Sequence, residues 1–271
     1  MTVEARIYDL LKRSRDGRRN PDGKLIYHYT SAQGARGILA SGSFWMFDAR
    51  QMQDDHELVM GNRKIKEALA EAANNTAAGS PLEVLAQKLI PILDMQEQEG
   101  LTYIGCFTEE PDNLAAWDKF ADHGRGFCLA IPWTQIASPY WAPGMNPVIR
   151  KVEYDQIEQQ AIVDAVVNLL AAKAGFSPAT CADQIRLLAT ESMVCWKRED
   201  YKDEKEWRIL RFRQDRPQDG ERNGRLYLTL DSATPLPITK VYAGAWTSSD
   251  DRAMVEATLK SNPAYSGLTV S

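Results

Sequence analysis

The stretch that decides the fold of this chain is Lys24-Leu-Ile-Tyr-His-Tyr-Thr30, which runs directly into Ser31-Ala-Gln-Gly-Ala-Arg-Gly-Ile-Leu39. The first half is rich in β-branched and aromatic residues, which predicts a short strand. In the second half the apolar residues recur at helical spacing behind Ser31, a residue type that caps helices. We therefore expect a strand that ends where a helix begins.

The end of this strand carries two polar side chains that can serve a binding site. Alternate side chains of a strand point to the same face, so His28 and Thr30 share one face while Tyr27 and Tyr29 occupy the other. An imidazole beside a hydroxyl can hydrogen-bond a polar ligand, or it can satisfy backbone groups nearby. These residues alone favour neither interpretation.

Length and composition indicate an ordinary soluble globular protein. With 271 residues, 44% of them apolar and 25% charged, the chain is able to bury a substantial core. Its net charge of -5, with both signs interspersed, argues against a dedicated nucleic-acid or anionic-membrane surface. A small local patch still allows a nucleic acid as substrate. The start lacks the apolar core of a signal peptide, and no apolar run has the length of a membrane span.

The cysteines indicate a reducing compartment. Four cysteines, at positions 106, 128, 181 and 195, show no CxxC spacing, and we expect them to be reduced in a cytoplasmic protein. With only three histidines and no paired cysteines, a structural zinc site is not expected.

The order of the predicted elements indicates an α+β fold, because helices occur as insertions between strands rather than as regular crossovers. Strands are predicted near 25–30, 44–47, 101–108, 127–131, 148–154, 204–212, 225–230, 238–243 and 268–270. Helices are predicted near 3–14, 32–39, 57–77, 82–97, 114–121, 156–174, 182–195 and 250–260. We expect Asp112 or Asn113 to cap the helix near 114–121, and Asp250 or Asp251 to cap the last helix. Residues 1–22 form an N-terminal helix and connector, and 23–271 form a single domain, since strands lie near both of its ends.

The most informative charged constellation is Glu204-Lys-Glu206 with Arg208. On a continuous strand the two glutamates and the arginine share one face, and burying them unpaired is costly. They must therefore pair with each other, reach water or hold a ligand. A solvated strand face with alternating ion pairs is the commoner arrangement.

Other patterns are weaker. Asp54-Asp-His-Glu57 offers oxygen ligands for a divalent cation but lacks the spacing of a calcium loop. Pro111-Asp112 and Asp203-Glu-Lys205 resemble the elements of a metal-dependent nuclease, although they lie far apart in the chain. Trp117 can stack against a ligand ring or fill the core, and filling the core is the commoner role.

Taken in order, these segments resemble a family of uncharacterised bacterial proteins with YHYTS, ND..E, CFS…W..Y and E.E.R motifs. The matching segments are Tyr27–Thr30, Asp54–Glu57, Gly105–Thr108 with Trp117 and Phe120, Gly126–Cys128, and Lys197 followed by Glu204–Ile209. This sequence has Gln53 for the usual Asn, Thr108 for Ser and Phe120 for Tyr. The last difference rules out a role that needs a phenolic hydroxyl at position 120.

The same arrangement is remotely similar to the ADP-ribosyltransferase superfamily, which implies a split, mainly antiparallel β-core with helical insertions. That resemblance implies NAD as substrate, with no metal. His28 and Thr30 match its H-x-T element, so Tyr29 lies within the NAD-binding strand. Thr108 and Trp117 match the element that lines the nicotinamide pocket. Glu206 matches the catalytic carboxylate and Glu204 the other member of an E-x-E pair.

The implied reaction is transfer of ADP-ribose to an unknown protein or nucleic acid. In it Glu206 stabilises the oxocarbenium-like ribose, Glu204 activates the acceptor, and Arg208 holds Glu206 or reaches a phosphate. By analogy, the setting is that of a bacterial toxin or a phage-defence effector. The alternatives are NAD hydrolysis, a non-catalytic NAD- or nucleotide-binding module, and, least favoured, a nuclease.

Overall fold

The computed structural model describes residues 25–52, 57–99, 102–136, 148–172, 177–179, 181, 193–212, 219–222, 224–230 and 234–271. Its strands are β1 (Leu25–Thr30), β2 (Trp45–Asp48), β3 (Thr102–Thr108), β4 (Phe127–Pro132), β5 (Val148–Lys151), β6 (Glu206–Phe212), β7 (Gly220–Arg222), β8 (Arg225–Thr229) and β9 (Lys240–Ala243). Its helices are α1 (Ala32–Ser41), α2 (Glu57–Asn74), α3 (Pro81–Glu99), α4 (Leu114–Phe120), α5 (Trp133–Ile136), α6 (Gln156–Ala172) and α7 (Ser249–Ser261). Short 3-10 helices lie at Ala49–Gln51, Met193–Cys195 and Glu199–Glu204. The predicted α+β class is confirmed.

All nine strands join one sheet, and the pairings between them are antiparallel. The order is β7-β8-β2-β3-β1-β4-β9, while β6 pairs with the other edge of β3 and β5 pairs with β6. Two strands share one edge of β3. Ile104 of β3 is opposite Phe47 of β2, whereas Thr108 is opposite Tyr27 of β1. The sheet is therefore split along this edge, at residues 105–107 of β3.

The two largest of four hydrophobic clusters in the described part of the chain form its main cores. The larger core packs α1 and α7 against one face of the sheet and runs from Ile26 to Val270. The smaller core joins α2, α3 and α6 around Leu69, Leu89 and Val163. Near the end of the chain Val270 forms a bridge with Val241 of β9, so segments from both ends contribute to the same sheet, as expected.

Helix caps confirm two predictions from the sequence. The Ser31 hydroxyl accepts a hydrogen bond from the Gly34 amide at 3.1 Å and begins α1 directly after β1. Asn113 accepts from the Ala116 amide at 3.0 Å and begins α4. The turn from strand to helix at residues 30–32 is therefore set by local chemistry that the sequence reveals.

The cap of the last helix was predicted at the wrong residue. Ser248, rather than Asp250 or Asp251, caps α7, and its hydroxyl accepts from the Asp251 amide. The two aspartates lie in the first turn, where the positive end of the helix dipole favours them.

Some sequence predictions fall outside the described residues. These are the helix of 3–14, the connector that follows it, the residues 54–56 of the acidic segment, and most of the helix of 182–195. Within the described residues, no helix combines the length and the apolar character needed to cross a membrane. The four cysteines form no disulfide with one another.

Candidate functional site

A cavity of about 660 Å³ lies where the sheet splits. Residues from β1, α1, β2, β3, α4, β6 and the β7–β8 pair line it. His28 and Glu206, which are far apart in the sequence, both belong to its lining. Cys106 and Phe107 also line it, although neighbouring strand residues point to opposite faces. Consecutive residues of β3 thus border the cavity at the split.

The His28 side chain hydrogen-bonds a backbone carbonyl at the split. Its Nδ1 lies 2.9 Å from the carbonyl oxygen of Cys106, on the edge of β3 where neither β1 nor β2 supplies a strand partner. A carbonyl only accepts, so Nδ1 carries the proton and Nε2 is left as an acceptor. The ring packs against Phe107 and Phe44, with centroids 5.4 and 5.8 Å away.

The charge state of His28 follows from this position. Burial lowers the pKa of His28, and the hydrogen bond to the Cys106 carbonyl opposes the change only in part. The imidazole is therefore neutral near pH 7. A neutral ring whose Nε2 accepts hydrogen bonds is suited to a hydroxyl group of a ligand in the cavity.

Five side chains form what we call the carboxylate cluster: Glu204, Glu206, Lys119, Lys197 and Arg208. Glu206 Oε1 lies 2.8 Å from Arg208 Nε, and its Oε2 lies 2.6 Å from Lys197 Nζ. The same Lys197 Nζ is 2.6 Å from Glu204 Oε2, while Lys119 Nζ is 2.9 Å from Glu204 Oε1. Each carboxylate oxygen thus contacts a cation.

The cluster is buried, so the solvated strand face expected from the pattern is wrong. Glu204, Glu206 and Arg208 are 5%, 3% and 1% exposed. Burial raises the pKa of Glu206, but Arg208 and then Lys197 outweigh it and hold that pKa far below its usual range. Glu206 is therefore a buried carboxylate that stays ionised at neutral pH.

Glu204 does not lie on the predicted strand. The strand begins at Glu206, and Glu204 ends the preceding 3-10 helix. Between them Lys205 adopts a left-handed backbone with φ of 44°. This sharp turn brings both glutamates to the shared Lys197, so the E-x-E pair is formed by a turn and not by strand alternation.

Cys106 lies between the split and the carboxylate cluster, and its thiol is poorly suited to act as a nucleophile. Burial, followed by the charge of Glu206, raises the pKa of the Cys106 thiol well above its usual value. Tyr154 supports Glu206 from the other side, since its hydroxyl accepts the Glu206 amide at 3.0 Å. The environment therefore fixes Glu206 through backbone and side chain together.

The remaining residues of the predicted site separate into two groups. Thr30 and the buried Thr108 line the cavity, and helix α1 approaches Thr30 so closely that a Cβ at Gly34 would fall 2.0 Å from its hydroxyl oxygen. Tyr29 also borders the cavity, but its hydroxyl is engaged elsewhere. It donates to the Glu110 carbonyl at 2.9 Å and accepts the Asn113 amide at 3.0 Å.

Trp117 is not among the residues that line the cavity. Its ring packs edge-on against Tyr29, with centroids 4.8 Å apart, and its Nε1 donates to Asp112 Oδ1 at 3.0 Å. This arrangement matches the core-filling role of a tryptophan. Tyr27 packs in the same small cluster, so the predicted alternation along β1 is confirmed.

Sequence reasoning gave no site role to four cations that line the cavity: Lys119, Lys197, Arg222 and Arg225. A signal for the two arginines was present, because Asn223-Gly224 between them is the dipeptide that favours tight hairpins. Lys197 is one of the positions that match the resembling family, but the match gives it no role, and Lys119 carries no local signal. The roles of both depend on contacts with Glu204.

The nuclease interpretation gains no support from the described residues. Asp112, one of its proposed carboxylates, bonds the Trp117 ring nitrogen. The described part of the chain holds no group of three or more His, Cys, Asp or Glu side chains arranged to bind a metal. Residues 54–56 lie outside it.

Comparison with known proteins returns no match: no protein-family model, no curated protein and no solved structure is similar to this chain. What the protein does must therefore be inferred from the chemistry of the cavity.

Proposed function

We propose that the cavity binds NAD and that the protein transfers ADP-ribose from it to a macromolecular acceptor, a protein or a nucleic acid. The observation that carries the proposal is the convergence of His28, Thr30, Thr108, Glu204 and Glu206 on one cavity. The volume of about 660 Å³ is within the usual range for ligand sites, roughly 300–1,000 Å³. A bacterial toxin or phage-defence effector would be one setting for such an enzyme.

The charge of the cavity supports an anionic ligand. Among the described residues, five cationic side chains line it, Lys119, Lys197, Arg208, Arg222 and Arg225, against two carboxylates, Glu204 and Glu206. The whole chain has the opposite balance, with a net charge of -5. A local cationic excess in an acidic protein concentrates anions at that place, and the pyrophosphate of NAD is such an anion.

Glu206 supplies the group that the reaction needs. Breaking the bond between ribose C1′ and nicotinamide sends the electron pair to the ring nitrogen and leaves positive charge on the ribose. An ionised carboxylate beside that ribose stabilises this charge. The acceptor then bonds to C1′ and loses a proton. Glu204, the other carboxylate of the carboxylate cluster, takes up that proton. The neutral His28 accepts a hydrogen bond from a ribose hydroxyl.

One observation favours a second candidate, an NAD-binding module without turnover. Both oxygens of Glu206 are already occupied, one by Arg208 and the other by Lys197. A catalytic Glu206 must exchange one of these contacts for the ribose. NAD hydrolysis, with water as acceptor, needs the same exchange.

The test is nicotinamide release from NAD by the purified protein. Loss of a preorganised charged group of this kind typically lowers the rate about 100-fold or more, which is the result expected for Glu206→Gln. Glu256→Gln, at an exposed position on α7, is the matched control and should release nicotinamide at the wild-type rate. His28→Gln keeps a polar side chain and should raise KM for NAD.

The other outcomes discriminate among the candidates. Release that depends on added protein or nucleic acid supports transfer, whereas equal release without an acceptor supports hydrolysis. Saturable NAD binding without any release supports the binding module. Neither binding nor release by a protein that unfolds cooperatively would rule out NAD as the ligand.

A further inference from the structure

The β7–β8 pair presents two arginines to the cavity at positions that are directly opposite each other. Arg222 of β7 and Arg225 of β8 are paired in register, so their side chains emerge on the same face. Both are half-buried, and both line the cavity. We call this pair the arginine hairpin.

Like charges placed directly across an antiparallel pair destabilise it unless a counter-charge is present. Neither arginine forms an ion pair with a carboxylate among the residues that the structure describes. The neighbouring Glu221 does not serve, because it is paired with Leu226 and alternates to the other face of β7. The arginine hairpin is therefore a concentration of positive charge that is open to solvent and available to an anionic ligand.

The arginine hairpin is also held in place before any ligand arrives. The guanidinium of Arg222 lies 5.0 Å from the ring centre of Trp45, which stacks on Tyr227 with centroids 4.3 Å apart and 23° between the planes. Gln51 fixes the turn, since it accepts the Leu226 amide at 2.6 Å and donates to the Gly224 carbonyl at 3.3 Å. Preorganised donors lose less conformational entropy when they bind.

We propose that Arg222 and Arg225 form a diphosphate subsite that receives the pyrophosphate of a nucleotide. A guanidinium offers planar, paired donors that match phosphate oxygens, and two of them side by side match two linked phosphate groups. If the cavity takes NAD, as proposed above, its pyrophosphate lies on the arginine hairpin and its nicotinamide ribose extends to Glu206. Only that orientation rests on the proposed function; the diphosphate subsite does not.

The experiment is calorimetric titration of the full chain with ADP, inorganic pyrophosphate and adenosine. Each lost charge-assisted contact weakens binding about tenfold, so Arg222→Gln/Arg225→Gln should bind ADP about 100-fold more weakly than wild type. Adenosine binding should be unchanged in that variant. Arg63→Gln on α2, which is outside the cavity, is the matched control and should bind ADP as wild type does.

Two further variants and the salt dependence sharpen the result. Trp45→Phe keeps an aromatic platform under Arg222 and should retain most of the ADP affinity, whereas Gln51→Ala frees the turn and should lower it several-fold. The affinity of wild type for ADP should fall with rising salt more steeply than that of the double variant. Pyrophosphate that binds as tightly as ADP would assign the site to the diphosphate alone.

Two outcomes would overturn the subsite: equal ADP affinities in wild type and the double variant, or no binding of ADP or pyrophosphate to wild type. This failure is distinguishable from failure of the proposed function. Arginine-dependent ADP binding without nicotinamide release keeps the subsite and removes the transferase. Glu206-dependent release with an unchanged KM for NAD in the double variant does the reverse.

Discussion

The two charged regions of the cavity differ in how their charges are satisfied. In the carboxylate cluster each oxygen of Glu204 and Glu206 contacts a lysine or an arginine, and these carboxylates are almost fully buried. In the arginine hairpin two like charges face each other, half-exposed and without a carboxylate among the described residues. In the first region every carboxylate oxygen is paired within the chain, whereas the second region leaves its positive charge to solvent and to an anionic ligand.

This difference separates the charges that hold the fold from those that serve a ligand. A buried carboxylate without its partner costs several kcal/mol, so the contacts of the carboxylate cluster are needed for stability. A half-exposed arginine is solvated when its ligand is absent, so its removal should affect binding more than stability. Glu206 is the exception that must do both, since it is paired in the fold and is the proposed catalytic group.

The largest stability effect is expected for Lys197→Met. Lys197 is shared by Glu204 and Glu206, and its side chain is 3% exposed. Its removal leaves two buried carboxylates facing each other, which should lower the free energy of unfolding by about 3–5 kcal/mol. Urea denaturation followed by tryptophan fluorescence measures this change.

Lys202→Met is the control for that substitution. Lys202 pairs with Glu199 at 3.4 Å, and both side chains are more than half exposed. A surface pair of this kind contributes little, so its loss should change stability by no more than about 0.5 kcal/mol. Equal effects of the two substitutions would contradict the role of the buried carboxylate cluster in holding the fold.

The packing of side chains at the split should be sensitive to Gly105→Ala. A Cβ at position 105 would lie 2.3 Å from Cε2 of the buried Phe44, which packs against His28. Phe44, which belongs to both the cavity lining and the larger core, must be displaced, at a cost of about 1–3 kcal/mol. A drop in ADP affinity alongside the loss of stability would show that the split shapes the ligand site; a neutral substitution would argue against this packing.

Acid should weaken the carboxylate cluster in a defined pH range. Arg208 and Lys197 lower the pKa of Glu206 in the folded state against the opposing effect of burial. The pKa of a glutamate in the unfolded chain is about 4.3, so as the pH falls the unfolded chain takes up the proton first. The stabilisation is complete above that pH and is lost as the pH falls toward the folded pKa, by up to about 1.4 kcal/mol per pH unit. Glu206→Gln should show a shallower loss of unfolding free energy between about pH 4 and 2, and identical slopes would contradict the assignment.

Local patterns predicted the elements that depend on neighbours in sequence. The β1–α1 turn followed from Ser31 and the alternation of Tyr27 with His28, and both are found in the structure. The same reasoning failed at Glu204, because a left-handed residue at position 205 replaces strand geometry there. A single positive φ at a lysine leaves no periodic signature in the sequence.

The partners of the candidate site were not predictable in the same way. Lys119 and Lys197 reach Glu204 from α4 and from the segment before a 3-10 helix, and these contacts exist only once the sheet has formed. The burial of the carboxylate cluster likewise depends on packing around β6. The Asn-Gly dipeptide beside Arg222 is different, since it is a local signal in the sequence for the β7–β8 pair that presents the arginines.

The smallest stability effect is expected for Arg225→Gln. Arg225 has no ion pair among the described residues and stands opposite Arg222, so its removal relieves a repulsion and deletes no ion pair with them. The free energy of unfolding should change by less than about 0.5 kcal/mol, or should rise slightly. Thermal unfolding with and without ADP is the measurement: ADP should raise the Tm of wild type more than that of the variant. A variant that is strongly destabilised without ADP would place Arg225 with the charges that hold the fold, and the contrast with the carboxylate cluster would no longer stand.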